Sequence, residues 1–334
     1  MKSLIRYIFT ILLVVTTLVS CSDFNKIVKN DDYDKKLRKA EELYDSKSYN
    51  RALVLYEQVY QRYPSDERGE LSYFKLGKSY YQLEDYYMSS YYFSNFANRF
   101  PSSDKLEESL YFSALSSVAN SPAPSLDQEE TDLAINELQF FISRFPNSRR
   151  IDTCNVLMDQ MREKLEQKAF DAVKLYAKME RYNAAVFSAE SFLENYPRSD
   201  KRMDVIMLKL ENAYTLADKS VFNKRKERLE KVVEIYDLYQ NDIQMTKYFS
   251  KAATISEKAG ERLEEVDEIV TFEEIKDTYA KSQTASKAKK VDYLEETLKL
   301  YYTFVQRYPQ SEYLSQAEDI FNRAEKERQN TYSY

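Results

Sequence analysis

The chain of 334 residues has no histidine and no tryptophan, three glycines, seven prolines and two cysteines. Without histidine, the commonest general base and the commonest metal-binding side chain are both missing. Three glycines are too few for the glycine-rich loops that cradle phosphates. The missing tryptophan removes the usual stacking platform for sugars. With 49 basic against 55 acidic residues and a net charge of −6, the chain lacks the basic excess expected of a nucleic-acid binder. Cys154 lies in a helical pattern and reads as a buried, inert thiol, while Cys21 has another role. These absences point away from catalysis, cofactors, metals and nucleic acid. What is abundant is charge, at 31% of residues, and aromatic side chains, with 30 tyrosines and 18 phenylalanines. Few glycines and prolines together with many charges suit helices over sheets.

The prolines organise the rest. Pro64, Pro101, Pro146, Pro197 and Pro309 each follow an aromatic: Tyr63, Phe100, Phe145, Tyr196 and Tyr308. Twelve positions before them stand Ala52, Ser89, Ala134, Ala185 and Thr297; five before stand Val59, Phe96, Phe141, Phe192 and Phe304. Four copies have arginine two before the proline (Arg62, Arg99, Arg144, Arg307), and one has Asn195. In the first copy Ala52, Tyr56 and Val59 form an i, i+4, i+7 stripe, which lies on one helix face. Proline ends that helix by restricting the residue before it and lacking an N–H. Asp66, Ser103, Ser148, Ser199 and Ser311, two positions after the prolines, are predicted N-caps of the next helix.

Tyr73, Leu76, Gly77 and Tyr80, followed by Ser89, Phe93 and Pro101, carry the intervals of the tetratricopeptide repeat. The predicted fold is all-α, a tetratricopeptide-like antiparallel helix-pair solenoid. Gly77 and Ser89 let two helices approach closely, and Tyr73, Tyr80 and Phe93 fill the space around them.

In chain order, residues 1–20 combine Lys2 and Arg6 with an apolar run too short to span a bilayer, and read as a signal peptide. Leu18-Val19-Ser20-Cys21 resembles the bacterial lipobox, which implies lipidation at Cys21. Residues 21–32 read as a polar tether, and 33–240 as five helix pairs with a lengthened loop at 121–130 and a long seventh helix over 149–179. The fifth pair lacks the closing aromatic-proline. Residues 241–334 are a C-terminal helical extension: an acidic run at 261–274 read as a solvated helix face, a linker at 281–290, and a further repeat-like unit over 291–327.

The lipobox, five helix pairs, RYP or RFP repeat ends and the stretches RFPNSRR at 144–150 and YNAAVFSAESFLENYPRSD through LENAY at 182–214 resemble the outer-membrane protein assembly factor BamD family. These are tetratricopeptide lipoproteins of the β-barrel assembly machinery. The resemblance covers about 33–240 and implies a non-enzymatic scaffold, lipid-anchored in the outer membrane and facing the periplasm. It implies partners as well: unfolded barrel precursors on the early repeats and the periplasmic domains of the barrel insertase on the late ones.

Helix geometry suggests a partner-binding face. With Tyr73, Gly77 and Tyr80 packed inward, the stripe Phe74, Lys78 and Tyr81 lies about 100° round and is predicted to line a concave surface. The same offsets in the first unit give Leu37, Glu41 and Tyr44. Aromatics beside a cation suit an extended apolar peptide ending in a carboxylate. Packing between repeats is the competing explanation of the same pattern. Two other functional classes stay open on residues alone: a periplasmic coordinator of envelope or peptidoglycan processes, and a surface glycan-binding lipoprotein, which the missing tryptophan disfavours.

Overall fold

The structure, a computed structural model, describes residues 24–332; the predicted signal peptide and Cys21 lie outside the described residues. Among the described residues there is no strand. Thirteen helices follow a helical turn at 24–28: α1 (Tyr33–Asp45), α2 (Tyr49–Arg62), α3 (Glu67–Gln82), α4 (Tyr86–Arg99), α5 (Leu106–Asn120), α6 (Glu129–Arg144), α7 (Ile151–Lys178), α8 (Tyr182–Asn195), α9 (Arg202–Asp218), α10 (Phe222–Ile243), α11 (Phe249–Thr284), α12 (Lys287–Arg307) and α13 (Leu314–Tyr332). The described residues divide into two compact units after Lys168, a boundary that falls within α7. The change of composition at 240 falls inside the second unit. Within each unit helices pack against their neighbours in sequence, which is the tetratricopeptide-like arrangement.

Each aromatic-proline pair ends a helix in one way. Tyr63, Phe100, Phe145, Tyr196 and Tyr308 are all C-caps, with φ between −129 and −125 and ψ between 59 and 66. Their N–H groups still bond to the carbonyls of Val59, Phe96, Phe141, Phe192 and Phe304. Proline forces the preceding residue out of the helical region, so the last bond is kept while the chain turns away. The small residues twelve positions upstream are all 0% exposed, as a helix-contact slot requires.

The five connections differ after the proline. Asp66 is an N-cap whose carboxylate accepts from the N–H groups of Arg68 and Gly69, and α3 starts at once. The four serines are not N-caps. Each hydroxyl accepts from the N–H two residues on (Lys105, Arg150, Lys201, Tyr313), forming a separate turn, and the helix begins three residues after the serine. Each hydroxyl is taken up by that turn, ahead of the helix proper, and so does not cap it. The early start of α3 brings it close to the preceding cap, so that a Cβ at Gly69 would lie 1.6 Å from the Tyr63 carbonyl oxygen. At Gly77 a Cβ would meet the Phe93 ring at 3.0 Å, the close approach predicted for that pair.

Two stretches depart from their sequence-based reading. Residues 24–28 are helical, and Phe24, Ile27 and Val28 pack on the core of Ala40, Leu43, Ala52, Leu55, Tyr56 and Leu76. The tether therefore docks, because its i, i+3, i+4 apolar residues form a one-turn stripe. The linker at 281–290 is mostly helix, interrupted only at Ala285 and Ser286. It holds no proline or glycine, and alanine and lysine favour helix.

The acidic run in α11 is only partly a solvated face. Glu261, Glu264 and Glu265 are exposed, but Asp267 is 5% exposed. It accepts from Tyr308 Oη at 2.6 Å, pairs with Arg307 Nη2 at 2.6 Å and contacts Lys226 Nζ of α10. The arginine and tyrosine of the last proline motif are thus fixed to the preceding helix. Burial pushes the Asp267 carboxyl up, but hydrogen bonds from Lys226 and Tyr308 and the charges of Lys226 and Arg307 outweigh it and hold the group below its ordinary value.

Gly69→Ala is expected to lower stability by roughly 3 kcal/mol, the upper end for overpacking, because backbone and not a flexible side chain blocks the methyl. Gly260→Ala, in the interior of α11 with nothing within 4 Å, is expected to raise it by about 0.5–1 kcal/mol. Urea unfolding of the two variants checks both signs. Asp267→Asn is expected to cost about 1.5–3 kcal/mol at neutral pH, the range for hydrogen bonds to charged groups. A depressed carboxyl stabilises above its unfolded value and loses that contribution as pH falls through its folded value, so the gap to the unsubstituted chain should close below about pH 4. A gap of equal size at pH 7 and pH 3 would contradict the assignment.

Candidate functional site

In the first unit, the first helices of successive pairs (α1, α3 and α5) present a common face built from aromatics and cations. Leu37, Glu41 and Tyr44 are half-buried on α1. The Tyr44 ring meets Tyr49 edge-on at 5.3 Å and carries Lys75 Nζ of α3 at 4.3 Å from its centroid. Burial, with neighbouring Tyr49, Asp45 and Glu108, pushes the Tyr44 hydroxyl up to about 12. Glu41 is among the negative groups that, after burial, raise the hydroxyl of the fully buried Tyr56.

One step along, Lys78 of α3 reaches α5. Its Nζ stands 3.7 Å from the Phe112 ring centroid and 3.1 Å from Glu108 Oε1. Tyr81 meets Phe112 edge-on at 5.0 Å and Tyr86 at 5.5 Å, and burial raises its hydroxyl. Phe74 is 6% exposed and lies edge-on to Phe93 and Phe96 at 5.6 and 5.7 Å. It therefore belongs to the core of the second pair. Of the predicted trio, Lys78 and Tyr81 keep surface; Phe74 has turned inward because α4 covers it. Lys78 is held by an anion and a ring at once, so an incoming carboxylate would have to replace Glu108.

Sequence reasoning missed a second pattern, which joins successive pairs. Glu70, six residues after Pro64, accepts from Ser103 Oγ at 2.8 Å and Lys105 Nζ at 3.4 Å. Glu107, six residues after Pro101, accepts from Ser148 Oγ at 2.7 Å and Arg150 Nη1 at 3.3 Å. Arg150 also lies over the Tyr111 ring at 4.9 Å. The signal was an acid six and a base four positions after Pro64, Pro101 and Pro146. It becomes meaningful only once one repeat's start is known to touch the next.

The loop at 121–130 is tied down from within. The Gln128 amide donates to the carbonyls of Ala123, Leu126 and Asp127, while Lys164 donates to Ser121. Glu137 is a half-buried carboxylate, accepting from Ser113 and Ser117 at 3.0 Å each, and desolvation raises its value. Cys154 is buried, and burial pushes its thiol up.

Among the described residues no group of acidic or thiol side chains could hold a metal ion, and no helix is long and apolar enough to cross a membrane. A comparison with curated proteins found no match. The family profile described as YfiO, outer membrane lipoprotein, matches residues 30–229. That span runs from α1 into α10 and so takes in the first four aromatic-proline ends, Pro64 to Pro197. The chain belongs to the YfiO family of outer membrane lipoproteins.

Proposed function

We propose that this protein is a non-enzymatic scaffold of outer-membrane β-barrel assembly, acylated at Cys21 and facing the periplasm. The family match over 30–229 carries this reading, since it covers the repeats in which the resemblance to assembly-factor lipoproteins resides. In this reading the α1, α3 and α5 face takes the C-terminal segment of an unfolded barrel precursor. Leu37, Tyr44 and Tyr81 offer apolar contact, Lys78 offers a cation, and Glu41 disfavours a second acidic group. The later repeats bind the periplasmic domains of the barrel insertase. Helix-pair stacks suit such work because side chains on a rigid face need little ordering when a peptide arrives.

Purification from detergent-solubilised outer membranes is expected to bring down the insertase; its absence would overturn the proposal. For the peptide face, Lys78→Glu is expected to weaken a precursor-derived C-terminal peptide by about 1 kcal/mol, roughly fivefold in Kd. The loss should be greatest at low salt, where exposed charges are least screened. Circular dichroism of the same variant separates loss of the site from loss of the helix. Unchanged affinity at low salt would remove Lys78 from the site.

A further inference from the structure

The docked segment at 24–28 limits how the protein can stand on a membrane. Phe24 packs on the core of the first pair with the Arg51 guanidinium 5.6 Å above its ring. Four residues on, the Val28 carbonyl accepts from Lys36 Nζ at 3.0 Å, and the same ammonium donates to Gln58 Oε1 at 2.8 Å. Lys36 is only 3% exposed, so the donor side of this part-buried bond is shielded from water. The Asp32 side chain then caps α1 through the Lys35 N–H at 2.9 Å. From Phe24 to Asp32 the chain is thus fixed by apolar contact, a buried ammonium and a helix cap. Phe24 lies beside Arg51, in the first turn of α2, and Val28 beside Lys36 on α1. The segment therefore leads back toward the turn that joins α1 to α2.

Only three peptide steps separate Phe24 from Cys21, a span of about 11 Å at full extension. Acyl chains on Cys21 lie in the bilayer, so Phe24 stands within about that distance of the surface. We infer that the α1–α2 turn edge of the first unit, residues 45–51, is held against the lipid surface by this short, docked connection. The anchor acts as a fixed mount for the first pair instead of a flexible leash. Charge does not supply the attraction. Lys47 and Arg51 on this edge are accompanied by Asp45, and the adjoining α3–α4 turn, which Tyr49 reaches through Gln82, adds Glu84 and Asp85. The opposite end of α2 then points away from the membrane, about 16 Å further out over the eleven residues from Asn50 to Gln61. The inference rests on acylation of Cys21.

The test uses full-length, acylated protein in phosphatidylethanolamine–phosphatidylglycerol vesicles that carry a nitroxide on the lipid headgroup. A fluorophore is attached at Asn50→Cys or Gln61→Cys, both exposed and within 20° of the same face of α2; buried Cys154 stays unlabelled. The label at position 50 is expected to be quenched more strongly than that at 61, at low and high salt alike. Inserting about 15 glycine-serine residues between Cys21 and Phe24 is expected to abolish the difference, since such a segment reaches about 21 Å. Phe24→Ala combined with Ile27→Ala, which undocks the turn without lengthening the chain, is expected to reduce it. Equal quenching at the two positions in the unmodified chain would overturn the inference, as would a difference that survives the insertion. Intact mass distinguishes the levels of failure. Acylated Cys21 with equal quenching sinks only the fixed mount, whereas unmodified Cys21 sinks the lipid anchor and the mount together.

Discussion

The structure depends on one local constraint, the clash between a proline ring and the residue before it. At five places an aromatic is forced out of the helical region while its N–H still bonds to the carbonyl four residues back. The helix therefore ends at a fixed point, with a ring on its last residue. That ring packs against its own helix: Phe96 with Phe100, Phe141 with Phe145, Phe192 with Tyr196 and Phe304 with Tyr308 have centroids 5.0 to 5.5 Å apart. Arginine two positions before the proline adds its guanidinium to the cap or to rings nearby. Helix length, and so the position of the fully buried small residue twelve positions upstream, follows from this stop.

What comes after the stop varies with one side chain. Aspartate caps the following helix directly; serine makes a turn of its own and delays it by three residues. In the first unit the delayed starts supply a hydroxyl and a cation to a glutamate on the preceding pair. A charged oxygen that receives two donors is worth more than an exposed ion pair, because the geometry is shared by groups already ordered by the turn. In the second unit Asp267 does comparable work for the last motif, reaching from α11 to Arg307 and Tyr308.

The face proposed for peptide binding in the first unit is built from the same materials as the core. Tyr44, Lys75, Lys78 and Phe112 stack cation on ring between successive first helices. Such contacts hold the pairs together and leave a row of half-buried aromatics on the surface. The family assignment and this face are independent of each other: one comes from a profile match along residues 30–229, the other from side-chain placement.

Much was legible in the sequence because repeat spacing is a one-dimensional signal. The prolines, the small slot and the apolar stripe determined an all-α chain of helix pairs, and the boundaries follow from local rules of capping and periodicity. The resemblance of residues 18–21 to a lipobox needs no fold to be read. Tertiary structure decided what depends on neighbours. Phe74 and Tyr81 differ by seven residues on one stripe, yet α4 buries the first and leaves the second at the surface. Asp267 sits in an acidic run whose other members are solvated, and only the arrival of Lys226, Arg307 and Tyr308 makes its burial affordable. Lys47, Glu84 and Glu180 adopt left-handed conformations in equivalent turns that composition alone would assign to glycine. Phe24, Ile27 and Val28 are too few to announce a helix. They form one because the first pair offers an apolar surface on which a single turn can rest, a fact that belongs to packing and not to local sequence.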